Sequence, residues 1–420
     1  MPTTHHQPMG VVIIGAGAAG LATAIFAARS APGLEVRCLD GARTIGAKIL
    51  VSGGSRCNVT NRVVTERDFW GGSPRAVRNV LRAFPADRVS GFFGSLGVAL
   101  HEEEDGKLFP DTNRSRTVLD ALLAEAGRLG VIVETGRRVT ELCRSREGFT
   151  VGTAGGMRYE AHAVVLATGG RSLPKTGSDG FGYELAKRLG HGYVETTPAL
   201  AGLVLDGERH RRLAGVAHPV RLDLRADGTF TTRLDGALLW THFGVSGPVA
   251  LNMSRHWHRA RLASAAIDVV LNVCPGETLE SLEQWWLEQE RERPRARAAT
   301  VLAARLPASV AEEWTSASGI DAAATMAHLP KDDRRRLLRA LLETRLDVRD
   351  SRGYAYAEVT AGGILLDEID TATMQSRLCP GLYLVGEILD VDGRLGGFNF
   401  QWAWSSGWVA GQAIAKAAAP

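Results

Sequence analysis

The residues Gly15-Ala16-Gly17-Ala18-Ala19-Gly20 set three glycines at the spacing G-x-G-x-x-G. This pattern suits a pyrophosphate. Gly15 makes a tight turn, Gly17 lets the backbone approach the phosphates, and Gly20 lets a helix pack closely on a strand. Ala18 and Ala19 open that helix, whose unpaired N–H groups and roughly half a positive charge favour an anion. Asp40 follows at the distance from which an acidic side chain accepts hydrogen bonds from an adenosine ribose.

The elements around these residues make the pattern specific. Val11 to Ile14 is a β-branched run of buried-strand type, Leu21 to Arg29 reads as an alanine-rich helix, and Glu35 to Leu39 is a second strand that delivers Asp40. A dinucleotide-binding unit follows from the three together.

Two later segments select FAD over NAD as the resident dinucleotide, and an earlier one is placed by them. Gly46 to Asn61, G-A-K-I-L-V-S-G-G-S-R-C-N-V-T-N, is poor in apolar surface and rich in small polar residues, so a partner must fill it. It reads as a loop that clamps the cofactor through Lys48, Ser52, Gly53, Gly54, Arg56, Cys57 and Asn58, with Arg56 and Asn58 meeting phosphate or ring atoms. Val164 to Gly170 is a strand ending in a small-residue turn, which brings Ala167, Thr168 and Gly169 to the cofactor. Near the end of the chain, Leu382 to Val385 runs into Gly386 and Glu387, and a turn-rich segment carrying Asp392, Gly397, Phe398 and Asn399 opens onto a helix from Trp402 to Ala415. A simple NAD domain has no need of this late return.

These motifs, with T-H-F-G-V-S-G-P at Thr241 to Pro248, resemble the BaiN/RdsA-like family of NAD(P)/FAD-dependent oxidoreductases over nearly the whole chain. The resemblance implies an α/β fold: a two-part Rossmann-like FAD-binding domain of glutathione-reductase type, interrupted by a small β-barrel and a helical subdomain. It implies reduction of a C=C or similar bond with NAD(P)H as transient donor, on a small molecule or on a ribosomal RNA uridine. Asp40 stands where many FAD proteins carry glutamate. A flavin-bearing binding or sensor protein without turnover is the alternative from another class.

The expected division is 1–192 for the first part of the FAD domain, 193–275 for the barrel, 276–352 for the helical subdomain and 353–420 for the second part. Short apolar runs at Leu203, Val220, Thr229 and Ile267 split by Asp-Gly turns give the barrel strands. Proline-separated helical patterns follow at Leu279 to Glu292, Arg297 to Leu306, Ala308 to Trp314 and Asp333 to Arg345. No second G-x-G-x-x-G and no C-x-x-x-x-C is present, so a donor nucleotide visits the substrate face directly.

Two residues are candidates for catalysis. His242 sits in the turn-rich T-H-F-G-V-S-G-P and titrates near neutrality. Cys57, in the clamp, is a thiol beside the expected flavin. His256-Trp-His258 reads as an exposed helix end and not a metal pair, because i and i+2 point apart on a helix. No metal site is expected.

Composition sets wider bounds. The 420 residues are 45% hydrophobic and 23% charged with a net charge of +3, which excludes a disordered chain and an obligate acidic partner. Five scattered cysteines without a C-x-x-C pair favour a reducing compartment, and M-P-T-T-H-H-Q-P-M lacks the pattern of a signal peptide. The expectation is a cytoplasmic protein with no membrane span and no obligate protein partner. Tyr193 to Tyr356 carries 22 Arg and Lys against 21 Asp and Glu, so an RNA-binding role would fall to a local run such as Arg334-Arg335-Arg336.

Overall fold

Valine and isoleucine at every position from 11 to 14 leave no polar face to expose, and these residues form the centre of a parallel sheet. In a computed structural model that describes residues 9–263 and 266–418, β1 (Met9–Ile14) is followed by helix α1 (Ala18–Ser30) and strand β2 (Val36–Leu39). β1 pairs on one side with β2 and on the other with the strand Arg158–Leu166, which pairs in turn with Leu382–Leu384. Ile132–Glu134 extends the parallel set beyond β2, and the strands Gln375–Ser376 and Ile369–Asp370 close the far side antiparallel. Ile14 lies opposite both Leu39 and Leu166, and Leu166 lies opposite Leu384. The carboxyl ends of four strands therefore finish in one row, which is where open α/β sheets bind ligands.

The chain divides into two compact units, Met1–Thr197 with Glu358–Pro420, and Pro198–Ala357. In the first, the C-terminal helix Phe398–Ala418 packs along α1. A Cβ placed on Gly407 would stand 2.9 Å from the Ala19 carbonyl oxygen, so only glycine permits this approach. Trp402 and Trp404 are fully buried, and Trp408 stacks on Phe84 with 5.7 Å between ring centroids. This helix begins four residues ahead of the expected Trp402, directly after Gly397, because its first aromatic, Phe398, is itself core.

The opening Gly46–Asn61 segment is not loop throughout. Helix α2 (Ala47–Ser55) forms a regular turn that buries Ile49, and Ser52, Gly53 and Gly54 then leave helical geometry.

The second unit holds a seven-stranded antiparallel sheet in the order Thr344–Leu346, Ile267–Asn272, Ala217–Ala226, Thr229–Thr241, Gly244–Ser246, Leu203–Leu205, Val348–Ser351. Helices occur at Leu279–Glu292, Ala298–Leu302, Ala308–Ala317 and Lys331–Leu342. The helical segment expected to run to residue 352 thus ends at Leu342, and the chain returns to the sheet in two strands. A further helix, Gly247–Leu262, lies within the segment expected to be barrel alone. Each unit has its own apolar core. Among the described residues no helix is long and apolar enough to cross a membrane. Most of the M-P-T-T-H-H-Q-P-M stretch, residues 1–8, lies outside the described residues.

Candidate active site

The turn between β1 and α1 is built by contacts that tolerate no side chain. Gly15 donates its N–H to the Leu39 carbonyl at 2.8 Å. A Cβ on Gly15 would lie 2.4 Å from the Ala167 carbonyl oxygen, and one on Gly20 would lie 1.9 Å from that of Gly15. The first and last glycines thus lock helix, turn and neighbouring strand together. Gly17 differs. A Cβ there meets nothing within 4 Å, and as the N-cap of α1 it has no side chain to occupy the helix's first N–H groups. Open space in front of unpaired N–H groups is the arrangement that accepts a phosphate.

Asp40 is oriented by two backbone donors, Ala16 N–H and Ala42 N–H, each at 2.8 Å. Its carboxylate is thereby fixed at the end of β2 against the glycine turn.

Across the row of strand ends, Gly386 brings the late segment onto α1, since a Cβ on it would stand 2.8 Å from that of Ala19. Its N–H is taken by the Ser406 hydroxyl, and its carbonyl by the Trp402 indole. Glu387 is held from three sides. Lys48 reaches its Oε2 at 2.5 Å, while the Ser172 hydroxyl and the Thr360 N–H donate to Oε1 at 2.7 and 2.9 Å. Lys48 also donates to the Ser172 hydroxyl at 2.7 Å. Neither partner of the ion pair is exposed by more than 26%. The Thr168 hydroxyl, beside Ala167 and Gly169, is buried with no hydrogen-bond partner.

A second cluster joins the clamp to the start of the C-terminal helix. Asn58 donates to the Thr60 carbonyl at 2.8 Å and accepts from the Gly397 N–H at 3.1 Å. A Cβ on Gly53 would lie 3.0 Å from the Asn58 nitrogen. The Asn399 side chain both accepts from and donates to the Gly393 backbone, and Phe398 packs edge-on to Phe69 at 6.2 Å. Asp392 is buried in a short strand opposite Trp70. The Ser52 hydroxyl folds back on the Ile49 carbonyl, whereas a Cβ on Gly54 would meet open space.

Arg56 and Cys57 are both engaged within the protein. The Arg56 guanidinium pairs with Glu103 at 2.6 Å and lies over the Phe109 ring at 4.1 Å. Its charge is therefore already compensated. Cys57 is completely buried, and burial pushes its thiol up to about 12 against the smaller opposing effect of a hydrogen bond with Ser52. At neutral pH it is a protonated thiol sealed in the core, with no thiolate character.

His242 lies in the other unit, exposed in the turn between Thr229–Thr241 and Gly244–Ser246. His256 and His258 are half-buried on the helix Gly247–Leu262, in contrast to the exposed end expected. Burial, reinforced by Arg255, lowers His256 to about 4. Burial also lowers His258 to about 4, with Arg261 and Arg259 adding to it against Asp350. Ser172 and Thr360 were not singled out in the sequence. A small polar residue just after T-G-G and the threonine of V-T-A-G-G were the signals.

The chemistry open to the first unit is that of holding a dinucleotide: helix N–H groups with free space, a fixed acidic residue, an unpartnered hydroxyl and an oriented ion pair along one sheet edge. A family model described as HI0933-like protein Rossmann domain matches residues 9–413. A 3-dehydro-bile acid delta(4,6)-reductase of Clostridium scindens is 33% identical over 404 residues, covering 96% of this chain and 98% of that protein. A ribosomal RNA dihydrouridine synthase of Escherichia coli is 33% identical over 409 residues, covering 97% of this chain and 98% of that protein. The FrdA chain of an Escherichia coli quinol fumarate reductase variant superposes with a TM-score of 0.51 at 17% identity, over 98% of this chain and 70% of that one, a likeness of fold alone. The chain belongs to the HI0933-like Rossmann family and is a BaiN/RdsA-like flavoprotein oxidoreductase.

Proposed function

We propose that the protein is an FAD-dependent reductase that takes electrons from NAD(P)H and delivers them to a C=C or similar bond of a separate acceptor. The observation that supports it most is the open N-terminus of α1 at Gly17, set in one row with the unpartnered Thr168 hydroxyl and the Lys48–Glu387 pair. FAD would be held by Gly15 to Gly20 and Asp40 at its adenosine and pyrophosphate end. The Ala167 to Gly169 turn, Gly386, Glu387 and the clamp would hold the remainder. Bound there, the flavin supplies hydride transfer.

The chain's own groups bind, orient and supply one proton. Glu387 keeps its carboxylate aimed because Lys48, Ser172 and Thr360 together restrict it. The N-terminus of the C-terminal helix, just after Gly397, contributes partial positive charge, which favours a reduced, anionic ring system nearby. His242 is the proton donor in this reading, being an imidazole exposed on its turn. Cys57 is assigned no chemical step.

The acceptor is a small molecule in this reading. An RNA acceptor would be docked by Arg334, Arg335 and Arg336, yet Arg334 and Arg335 meet Glu283, Arg334 also meets Glu290, and Arg336 meets Asp333. Little free charge remains for phosphates on these three residues. Anaerobic mixing of the purified holoenzyme with NADH or NADPH should bleach the flavin, and an enone acceptor should restore it. A bound flavin that neither nucleotide reduces would instead favour the non-catalytic binding protein. Absence of FAD from the folded protein would overturn the cofactor assignment itself.

A further inference from the structure

The turn that carries His242 continues into an aromatic cage. The Phe243 ring stands edge to face with the His242 ring, 5.3 Å between centroids. Phe243 cannot retreat toward the backbone. A Cβ on Gly202 would already approach its ring to 2.9 Å. Against these rings lies Arg352, whose guanidinium carbon is 4.6 Å from the Phe243 centroid and 3.4 Å from that of Tyr356.

The backbone presenting Arg352 is fixed on both sides. Its own N–H donates to the Gly202 carbonyl at 2.9 Å, and the Gly353 N–H donates to the Ser351 hydroxyl at 3.1 Å. Tyr356 and Ala357 both donate to the Gly353 carbonyl at 3.1 Å. Ser351 is anchored in turn to His258 at 2.8 Å. Tyr356 is 56% exposed, so the cage opens to solvent.

Several arginines of the same unit are already paired. Arg212, Arg221, Arg233, Arg305 and Arg334 each meet a carboxylate within the same unit. Arg352 meets none among the described residues, and its guanidinium touches only ring faces. A guanidinium stacked by its face keeps its N–H donors in its own plane, directed away from the rings. That fork matches the two oxygens of a carboxylate. The Thr241 hydroxyl, adjacent to His242, is buried without a partner and offers one more donor on the same turn.

We propose that Arg352, held against Phe243 and Tyr356 beside His242, binds a single carboxylate of the acceptor, so that the acceptor is an organic acid. The proposal rests on the insert being the acceptor-binding part of the reductase described above. A single guanidinium held by its face, with one fork left open, suits one anionic group better than a polyphosphate chain.

Equilibrium binding to the oxidised holoenzyme tests it, with a 3-oxo-4-ene steroid bearing a carboxylate side chain, its methyl ester, and a uridine oligonucleotide as probes. The acid should bind about tenfold or more tightly than the ester, as expected for a charge-assisted bidentate pair. Arg352→Gln should erase that preference while leaving ester affinity in place, and Arg352→Lys should restore only part of it, because charge returns without the fork. FAD absorbance should stay unchanged in both variants. Equal binding of acid and ester by the wild type, or a preference that survives Arg352→Gln, overturns the proposal. So does failure of both steroids to bind. Salt-dependent oligonucleotide binding that Arg352→Gln abolishes would assign the site to phosphate instead. A flavin that turns over with acid and ester alike sinks only the Arg352 assignment, whereas a protein without FAD sinks the reductase reading first.

Discussion

The nucleotide-binding unit and the inserted unit handle polar groups in opposite ways. In the first, the site consists mainly of backbone at glycines, and its main charged pair, Lys48 with Glu387, is closed on itself. In the second, the groups at the proposed site, the exposed His242 and the half-buried Arg352, make no ion pair among the described residues, while the half-buried His256 and His258 are kept neutral. A site made of backbone changes only when the fold does. A site made of unpaired side chains changes with single residues.

The largest effect should come from setting Gly17 against Gly20. Gly17→Val places a side chain in open space at the helix N-terminus, so apo-protein melting should fall by only a few degrees, in line with about 1 kcal/mol for a poorer N-cap, while bound FAD is lost. Gly20→Ala forces a methyl against the Gly15 carbonyl and should destabilise the apo-protein by roughly 2–4 kcal/mol, on the scale of severe overpacking. Full FAD occupancy in Gly17→Val, read from absorbance after gel filtration, would break the contrast between open and packed glycines.

A smaller effect is expected from the ion pair. Lys48→Met leaves Glu387 half-buried without its cation and should cost about 1–3 kcal/mol in urea unfolding, with weaker FAD binding. Joining it to Glu387→Gln should recover part of that stability, because the uncompensated charge is then gone. Additive losses would show that the two residues act independently.

The smallest effect concerns acid sensitivity of the inserted unit. His256 and His258 have folded values near 4, below the ordinary 6.5, so the folded state favours their neutral forms. Their contribution is complete above about 6.5 and is lost progressively as pH falls toward 4. The melting temperature should drop by roughly 5 °C over that window, and replacing both histidines with glutamine should flatten the profile. An unchanged slope in the double variant would return both residues to solvent.

The nucleotide fingerprint was legible because each of its requirements is local: strand, turn, helix and the acidic residue lie within one short stretch. Partnerships across the chain were not. Lys48 and Glu387 were both recognised, yet nothing in the sequence joins residues so far apart. Arg56 reads as a phosphate ligand until Glu103 and Phe109, some fifty residues on, engage it. The clamp looked like loop because small and polar residues fill its second half, whereas burial of Ile49 folds its first half into helix. His256 and His258 looked exposed because helical periodicity alone cannot show what Ser351 and its strand cover.

The packing of Gly407 on Ala19 sets a schedule for biosynthesis. The phosphate turn emerges from the ribosome long before Gly386, Glu387 and the helix that braces α1 are translated. At about 5–20 residues per second the interval lasts tens of seconds. Through that time α1 presents an apolar face with no helix to cover it, and the Glu387 side of the cofactor site does not yet exist. Capture of the dinucleotide is thus a late event.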